Sequence, residues 1–410
     1  MNILEDLKYR GLIYQITDEK ELQKRLLKPI TLYCGFDPTG ESLHVGHLLQ
    51  ILVLKRFHQA GHKLIAIAGG GTALIGDPSG KDKERPMQTK DTIDKNFKKI
   101  SKQLKKLLPG AKVVNNYDWL GKIKVIDYLR DIGKNFPINY MLAKETVKSR
   151  LEAGISFTEF NYMILQSIDF LELNQRYNCE LQIGGSDQWG NITAGVDLAR
   201  RTSEAALFGI TFPLITKADG SKFGKTESGA VWLDPQRTSP YEFYQFWINT
   251  PDSEVIKYIK YFTFLDKNEI ERLDKLVKES PAKREAQKIL AQQVTKLVHG
   301  SKAVVETEKI SAALFSGEIK NLDQTQIESA FSHVPSFNNS GQERELTDLL
   351  VAAGVSSSKR QAREDIINGA ISLNGEKITE AKRKINSSDF LYKKYLIIRR
   401  GKKNYTLIKW

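Results

Sequence analysis

Cysteine is nearly absent from this chain of 410 residues: Cys34 and Cys179 provide neither a disulfide framework nor a set of zinc ligands. So few thiols fit a reducing compartment, and the cytoplasm is the expected location. Long apolar runs are missing too. The most apolar stretch, residues 64–76, is broken by glycine and falls short of the about 20 continuous apolar residues that cross a bilayer. Residues 1–11 carry Glu5 and Asp6 and lack the basic start and apolar stretch of a signal peptide. Histidine is scarce, with six in the chain, and no His-Glu-x-x-His spacing occurs, so no metal ligands are assigned. No internal repeat is visible. With 40% apolar and 27% charged residues, the composition is that of a folded protein rather than a disordered one.

What the chain has in excess is positive charge: 62 Lys and Arg against 49 Asp and Glu, a net +13. The excess sits in two places. Residues 345–410 hold 14 basic and 7 acidic side chains, and residues 81–112 hold 11 and 4. Two localised basic zones suit two contacts with one long polyanion, because each neutralised phosphate releases counterions and adds affinity that does not depend on base sequence. The second zone has a plainer reading as well. Lys95, Lys98, Lys99, Lys102, Lys105 and Lys106 fit the solvated face of a helix buried through Ile100, Leu104, Leu107 and Leu108.

The length suits two or three domains of about 150 residues each. Residues 30–36 and 63–68 read as buried strands, each followed by turn residues and a helical pattern, and 111–115, 180–183 and 210–216 are further strand candidates. A strongly helical stretch, 158–177, lies among them, so the expected fold is α/β with a Rossmann-like doubly wound parallel sheet. Past Pro240 the texture changes. Residues 241–246, 253–262, 268–277 and 281–298 read as helices with no strand between them, which predicts an α-helical domain. Residues 331–344, with Pro335, Asn338, Asn339, Ser340, Gly341 and Gln342, read as a linker to a small basic α+β module. The expected division is 1–220 catalytic, 221–330 loop plus helical domain, 331–344 linker and 345–410 basic module.

Two segments seek phosphate. Asp37-Pro38-Thr39-Gly40-Glu41-Ser42-Leu43-His44-Val45-Gly46-His47 joins the first long strand to a helix starting near His44. Helix N-terminal amides collect anions at such a junction, and Gly46 would let a ligand approach the backbone. His44 and His47, three residues apart, share a helix face and suit hydrogen bonding to a triphosphate. The second segment runs Lys217-Ala218-Asp219-Gly220-Ser221-Lys222-Phe223-Gly224-Lys225-Thr226. It falls one residue short of a P-loop, so a P-loop NTPase is rejected. A glycine-hinged loop with two lysines three apart remains, suited to closing over a polyphosphate.

Together these segments resemble the class I aminoacyl-tRNA synthetases. His44-Val45-Gly46-His47 looks like their HIGH signature, and Lys222-Phe223-Gly224-Lys225-Thr226 looks like their KMSKS loop. Tyr33-Cys34-Gly35-Phe36-Asp37-Pro38-Thr39, Gly76-Asp77-Pro78-Ser79-Gly80-Lys81, Gly184-Gly185-Ser186-Asp187-Gln188-Trp189-Gly190-Asn191 and the stretch from Ser239 to Trp247 narrow the resemblance to the tyrosine-specific branch. Gln50 departs from it, since related enzymes often carry a small residue there. The resemblance implies ATP, L-tyrosine and tRNA(Tyr) as substrates, a homodimer with no membrane contact, no tightly bound cofactor, and Mg2+ arriving with ATP.

The resemblance also distributes roles. Tyr33 and Asp169 read the substrate phenol, Asp77, Tyr162 and Gln166 hold its ammonium, and Gln182 joins the tyrosine pocket. Tyr162, Gln166 and Asp169 make chemical sense without it, falling at i, i+4 and i+7 as one polar stripe on an otherwise apolar helix that needs polar partners. Thr39, His44, His47, Lys81, Arg85, Lys222, Lys225 and Thr226 are the residues implied to carry the phosphate chemistry. Gly35, Asp37, Gly46, Gly185, Asp187 and Gln188 are implied around the adenosine and α-phosphate, together with His44, His47 and Lys225. The carboxyl-terminal module resembles the S4-like RNA-binding domains, with an Asn374-Gly375 hairpin signature. Arg360, Arg363, Arg399, Arg400, Lys402 and Lys403 are its expected tRNA phosphate contacts, with Tyr405 available for stacking. Two other classes compete. A small-molecule nucleotidylyltransferase using an HxGH motif has no need of two basic zones, and a non-catalytic RNA-binding module leaves the His44/His47 and Lys222/Lys225 pairs without a purpose.

Overall fold

Residues 2–79, 86–148, 150–151, 154–203, 205–216, 223–226, 229–332, 334–401 and 404–410 are described by a computed structural model. The chain forms two units, Met1–Asp234 with Thr250–Leu290, and Pro235–Asn249 with Ala291–Trp410. Among the described residues no helix is long and apolar enough to cross a membrane.

The first unit is built on a six-stranded sheet of β1 (Gln15–Ile16), β2 (Thr31–Phe36), β3 (Lys63–Ala68), β4 (Lys112–Val114), β5 (Cys179–Gly185) and β6 (Phe208–Phe212). Their spatial order is β1-β6-β5-β2-β3-β4, parallel except for the edge strand β1. The doubly wound expectation holds. β6 lies earlier and is shorter than residues 210–216, and β1, too short to leave a period-two pattern, was not legible in the sequence.

Helices cover the sheet: α1 (Ile3–Arg10), α2 (Val45–Gln59), α3 (Lys90–Leu107), α4 (Phe157–Tyr177) and α5 (Trp189–Ser203). α3 turns Ile93, Ile100, Leu104 and Leu107 inward and leaves Lys95, Lys98, Lys99, Lys102, Lys105 and Lys106 exposed, so the plainer reading of that basic zone describes its packing. α4 is started by the Ser156 side chain accepting from the Glu159 amide and stopped by Asn178 in the left-handed region. α6 (Asp252–Phe262) also belongs to this unit. Two guanidiniums tie its C-terminal end to the rest: Arg10 donates to the Leu265 carbonyl at 2.7 Å, and Arg56 donates to the Thr263 carbonyl.

Pro240–Ile248, Ser301–Ser316 and Gln324–Ala330 are helical in the second unit, which also takes the helix Glu285–His299 from Ala291 onward. Residues 281–298, expected as one helix, instead begin with a 3-10 turn at Pro281–Lys283, because Arg284 has φ +50° and breaks the ladder. The carboxyl-terminal five-stranded sheet has the order Glu376–Lys377, Ile371–Leu373, Tyr395–Arg400, Asn404–Lys409, Ser336–Asn338. The Asn374–Gly375 turn is present, both residues with positive φ, and the Asn374 side chain donates to the Asp389 carbonyl and accepts from the Ile397 amide.

Residues 331–344 do not behave as the expected linker. Phe331 and Asn339 are buried, and Ser336–Asn338 pairs in parallel with the last strand. Tyr395, Ile397 and Leu407 pack in one apolar cluster with Ile310, Ile319, Leu322 and Phe331. The hydrophilic composition of the segment concealed this, because only alternate residues face the sheet.

Ending the chain at Ser340 would strip three apolar side chains from that cluster, each worth about 1.5–3 kcal/mol when fully buried. The truncated chain should melt at lower temperature than the full chain and bind a hydrophobic dye. Identical melting curves would mean that the helices of this unit are stable without the sheet.

Candidate active site

The strand order turns at β2, which pairs with β3 on one side and β5 on the other. Ligands of open parallel sheets bind beyond the carboxyl ends of strands at such a switch. A cavity of about 230 Å³ lies there, lined by Tyr33, Cys34, Gly35, Asp37, Thr39, His47, Gln50, Thr72, Asp77, Tyr162, Gln166, Asp169, Gln182, Asp187, Gln188 and Leu214 among others. Twelve of the expected site residues therefore meet in one lining.

Its floor is polar and buried. Asp169, 3% exposed, accepts hydrogen bonds from Asn116 Nδ2 at 2.9 Å and Trp119 Nε1 at 2.8 Å. Burial pushes its carboxyl up to about 8, against the downward pull of those two donors. Tyr33 and Gln182 are register neighbours on β2 and β5, and both are buried. The Tyr33 hydroxyl and Gln182 Oε1 have no hydrogen-bond partner among the described residues. Burial also raises both Tyr33 and Tyr162 well above the usual phenol range, so both hydroxyls keep their protons.

Higher in the cavity the carboxylates are spaced by donors. Tyr162 donates to Asp37 Oδ2 at 2.9 Å, and Thr72 donates to Asp37 Oδ1 at 2.7 Å. Gln188 Nε2 donates to Asp77 Oδ2 at 2.8 Å. Asn191 Nδ2 reaches Gln166, Gln188 and Ser79 at 3.2–3.3 Å. Burial, and then the charge of Asp77, raises the Asp187 carboxyl. Gly185 lies directly beneath Asp187, where an added Cβ would meet Oδ1 at 2.5 Å.

The start of α2 differs from expectation. Its first amides are satisfied internally: Val45 donates to the Val231 carbonyl, Gly46 to His44 Nδ1 at 3.0 Å, and His47 to the His44 carbonyl. An anion must therefore be met by side chains here rather than by a bare helix terminus. The His44 amide in turn donates to His47 Nδ1 at 3.2 Å, and the two rings lie with centroids 4.0 Å apart and planes tilted by 39°. With Nδ1 accepting in both, each neutral ring carries its proton on Nε2. Gly46 is needed for a reason the sequence did not give, since a Cβ there would sit 2.7 Å from the His44 ring.

The second phosphate-seeking segment reaches the same helix end. Gly224, at φ +80°, lies so close to α2 that a Cβ would come within 2.5 Å of Val45 Cγ2. Phe223 is buried, stacked on Phe262 at 5.4 Å and edge-on to Tyr258 at 5.1 Å. β7 (Lys225–Thr226) pairs with β8 (Gly229–Ala230), and Val231 donates to the Gly224 carbonyl. Lys81, Arg85, Lys222, Lys402 and Lys403 lie outside the described residues, as do the side chains of Lys225 and Thr226.

In the second unit the expected basic cluster divides. Arg360 and Arg363 are exposed, with Arg360 paired to Glu364 on its own helix. Arg400 instead donates to the Val355 carbonyl at 2.8 Å and pairs with Asp365 at 2.9 Å, and Arg399 reaches Ser372 at 3.4 Å. The Tyr405 ring packs against Phe331 with centroids 5.5 Å apart, so it is not the open stacking platform expected.

Sequence reading gave no site role to Cys34 and Asn191, which it met only within motifs, and missed Thr72, Asn116 and Trp119. Neutral side chains carry no charge pattern, and Asn116 and Trp119 reach Asp169 only through the tertiary fold. Among the described residues no group of three or more His, Cys, Asp or Glu is arranged to hold a metal ion.

A carboxyl held near 8 is mostly protonated at pH 7, and a ligand hydroxyl that donates to it favours the carboxylate. Binding a phenol should therefore release a proton near pH 7, and the release should fade above about pH 8, where the carboxylate is already formed. Calorimetry in buffers of different ionisation heat should register this in the parent chain and lose it in Asp169→Asn. Buffer-independent heats in the parent chain would contradict the assignment.

Residues 24–316 match the family model for class I tRNA synthetases of the W and Y type, and residues 326–408 match the C-terminal domain model of SYY-like tyrosine–tRNA ligases. The chain is 57% identical over its full length to tyrosine–tRNA ligase 1 of Bacillus anthracis and 56% identical to tyrosine–tRNA ligase of Geobacillus stearothermophilus, each also covered in full. A C-terminally truncated mitochondrial tyrosyl-tRNA synthetase of Aspergillus nidulans superposes with a TM-score of 0.69 at 33% identity, over 77% of this chain and 94% of that one. The sheet order, the cleft at its switch point and the full-length likeness agree, and the chain belongs to the class I aminoacyl-tRNA synthetases, in the tyrosine–tRNA ligase family.

Proposed function

We infer that the cleft joins L-tyrosine to ATP and passes the product to tRNA(Tyr). The observation that carries this reading is the buried polar floor, where Asp169, Tyr33 and Gln182 offer hydrogen-bonding groups to a ligand held in the cavity lined by β2 and β5. A tyrosine side chain fills such a slot and places its hydroxyl among them. Phenylalanine would leave the same groups unpaired, which costs about 1–3 kcal/mol for each buried group. The amino end then lies toward Asp77, Tyr162 and Gln166, where the carboxylate of Asp77 balances the ammonium.

The first step needs no protein nucleophile. A tyrosine carboxylate oxygen bonds to the α-phosphorus of ATP as the bond to the leaving pyrophosphate breaks, so catalysis rests on alignment and on charge. His44 and His47, whose Nδ1 atoms accept main-chain hydrogen bonds, are assigned to the phosphate oxygens together with Thr39, and Lys81, Arg85, Lys222, Lys225 and Thr226 complete the set by family resemblance. Gly35, Gly46, Gly185, Asp187 and Gln188 suit the adenosine side. Magnesium travels with the triphosphate and neutralises its charge, without a dedicated set of protein ligands. In the second step a terminal ribose hydroxyl of tRNA attacks the activated carbonyl carbon and AMP leaves.

For the tRNA, Arg360 and Arg363 are the exposed candidates, while Arg400 supports the fold. The labour proposed for 1–220 is catalysis and that for 345–410 is tRNA contact, while residues 221–330 are shared between the two units. Work of this kind belongs in the cytoplasm. The exposed apolar side chains of Val125, Ile126, Leu129, Ile138 and Phe157 favour a homodimer that covers them.

Tyr33→Phe or Asp169→Ala should narrow the preference for tyrosine over phenylalanine in ATP–pyrophosphate exchange by about 1–3 kcal/mol each. Unchanged discrimination would place recognition of the hydroxyl elsewhere. Replacing Arg360 and Arg363 together by alanine should flatten the salt dependence of tRNA binding by about one unit of log–log slope per lost contact. Arg400→Ala should lower stability instead. An unaltered salt slope in the Arg360/Arg363 variant would remove that pair from the tRNA surface.

A further inference from the structure

The loop at residues 37–44, which carries Thr39 and His44, is held by the side chains of a helix that lines no part of the cavity. On α3, Asn96, Lys99 and Gln103 stand at i, i+3 and i+7, a polar stripe distinct both from the buried Ile93, Ile100, Leu104 and Leu107 and from the remaining lysines. Asn96, 4% exposed, donates through Nδ2 to the Pro38 carbonyl at 3.0 Å. Gln103 bonds twice: its Oε1 accepts from the Leu43 amide at 2.9 Å, and its Nε2 donates to Ser42 Oγ at 2.9 Å. Just ahead of the helix, Gln88 Nε2 donates to the Thr39 carbonyl at 2.9 Å.

Leu43 is the junction. Its amide is taken by Gln103 and its carbonyl accepts from Leu233, one residue beyond Trp232, which bridges His44. Val45 then donates to the Val231 carbonyl, and Val231 donates to the Gly224 carbonyl in the second phosphate-seeking segment. A continuous run of main-chain hydrogen bonds thus leads from the Gln103 side chain through the residue before His44 to the segment containing Lys225. A main chain with no regular structure of its own, such as residues 37–43, depends on such side chains for its position.

We propose that Gln103 and Asn96 are positioning residues for adenylate formation: they fix the main chain on both sides of Thr39 and before His44, so that the two phosphate-seeking segments address one triphosphate. This rests on the phosphate role given above to His44. Neither residue touches the tyrosine slot, so their loss should act on the rate and not on tyrosine affinity. A misplacement of catalytic groups by about 1 Å is worth on the order of 100-fold in rate.

The test uses the full-length chain and four variants in tyrosine-dependent ATP–pyrophosphate exchange, with tyrosine affinity measured separately by equilibrium binding. Gln103→Met keeps the size and removes both bonds, Gln103→Glu keeps an acceptor for the Leu43 amide, Asn96→Ala removes the second anchor, and His44→Ala reports on the phosphate role itself. The expected result is a fall in kcat on the order of 10- to 100-fold for Gln103→Met. Asn96→Ala should fall in the same direction, Gln103→Glu should recover most of the rate, and tyrosine affinity should hold throughout. A normal kcat in Gln103→Met beside an impaired His44→Ala would overturn the positioning role alone. Normal rates in both would overturn the phosphate reading beneath it. Parallel loss of rate and tyrosine affinity in Gln103→Met would also overturn the proposal, because α3 would then be supporting the fold as a whole.

Discussion

Everything at the phosphate end of the cleft depends on a short antiparallel pairing between residues 43–45 and 231–233. Val45 donates to the Val231 carbonyl and Leu233 donates to the Leu43 carbonyl, with His44 and Trp232 bridged between them. Nearly 190 residues of sequence separate the two partners, yet the pairing sets the histidine pair beside Gly224 and the strand that holds Lys225. It also explains why the first amide of α2 is unavailable to an anion. The helix terminus has been used to join two loops, and the charge of a bound phosphate falls to side chains.

At the other end of the cleft the controlling fact is desolvation. A carboxylate buried as completely as Asp169 is unfavourable unless donors surround it, and Asn116 and Trp119 provide two of them at 2.9 and 2.8 Å. The same burial keeps the phenols of Tyr33 and Tyr162 protonated, and the Tyr162 hydroxyl donates to Asp37. On the function proposed above, specificity for a hydroxyl and positioning of a triphosphate are thus separated in space. Variants at the two ends should affect different kinetic constants.

Much of this was legible in the sequence wherever local chemistry repeats a known pattern. The strands at 30–36 and 63–68, the stripe of Tyr162, Gln166 and Asp169, and the two phosphate-seeking segments all lie on continuous stretches with readable spacing. What stayed hidden depends on pairing at a distance. Asn116, Trp119 and Gln103 are neutral residues whose partners lie 53, 50 and 60 positions away along the chain. The segment 331–344 looked like a linker because its composition is polar, whereas Ser336–Asn338 takes its structure from a strand more than 60 residues later. Basic residues were over-read for the same reason: charge in a sequence says nothing of an internal partner, and Arg400 has one in Asp365.

In the chemistry proposed above, this cleft makes tyrosyl-adenylate without a covalent link to the protein. A single-turnover experiment tests it directly, mixing the purified chain with tyrosine, magnesium and α-labelled ATP in the presence of pyrophosphatase and resolving the bound products with time. Label should accumulate as protein-bound tyrosyl-adenylate, released intact on denaturation and formed with tyrosine but not with phenylalanine at the same concentration. Label left on ATP, or attached covalently to the chain, would contradict it.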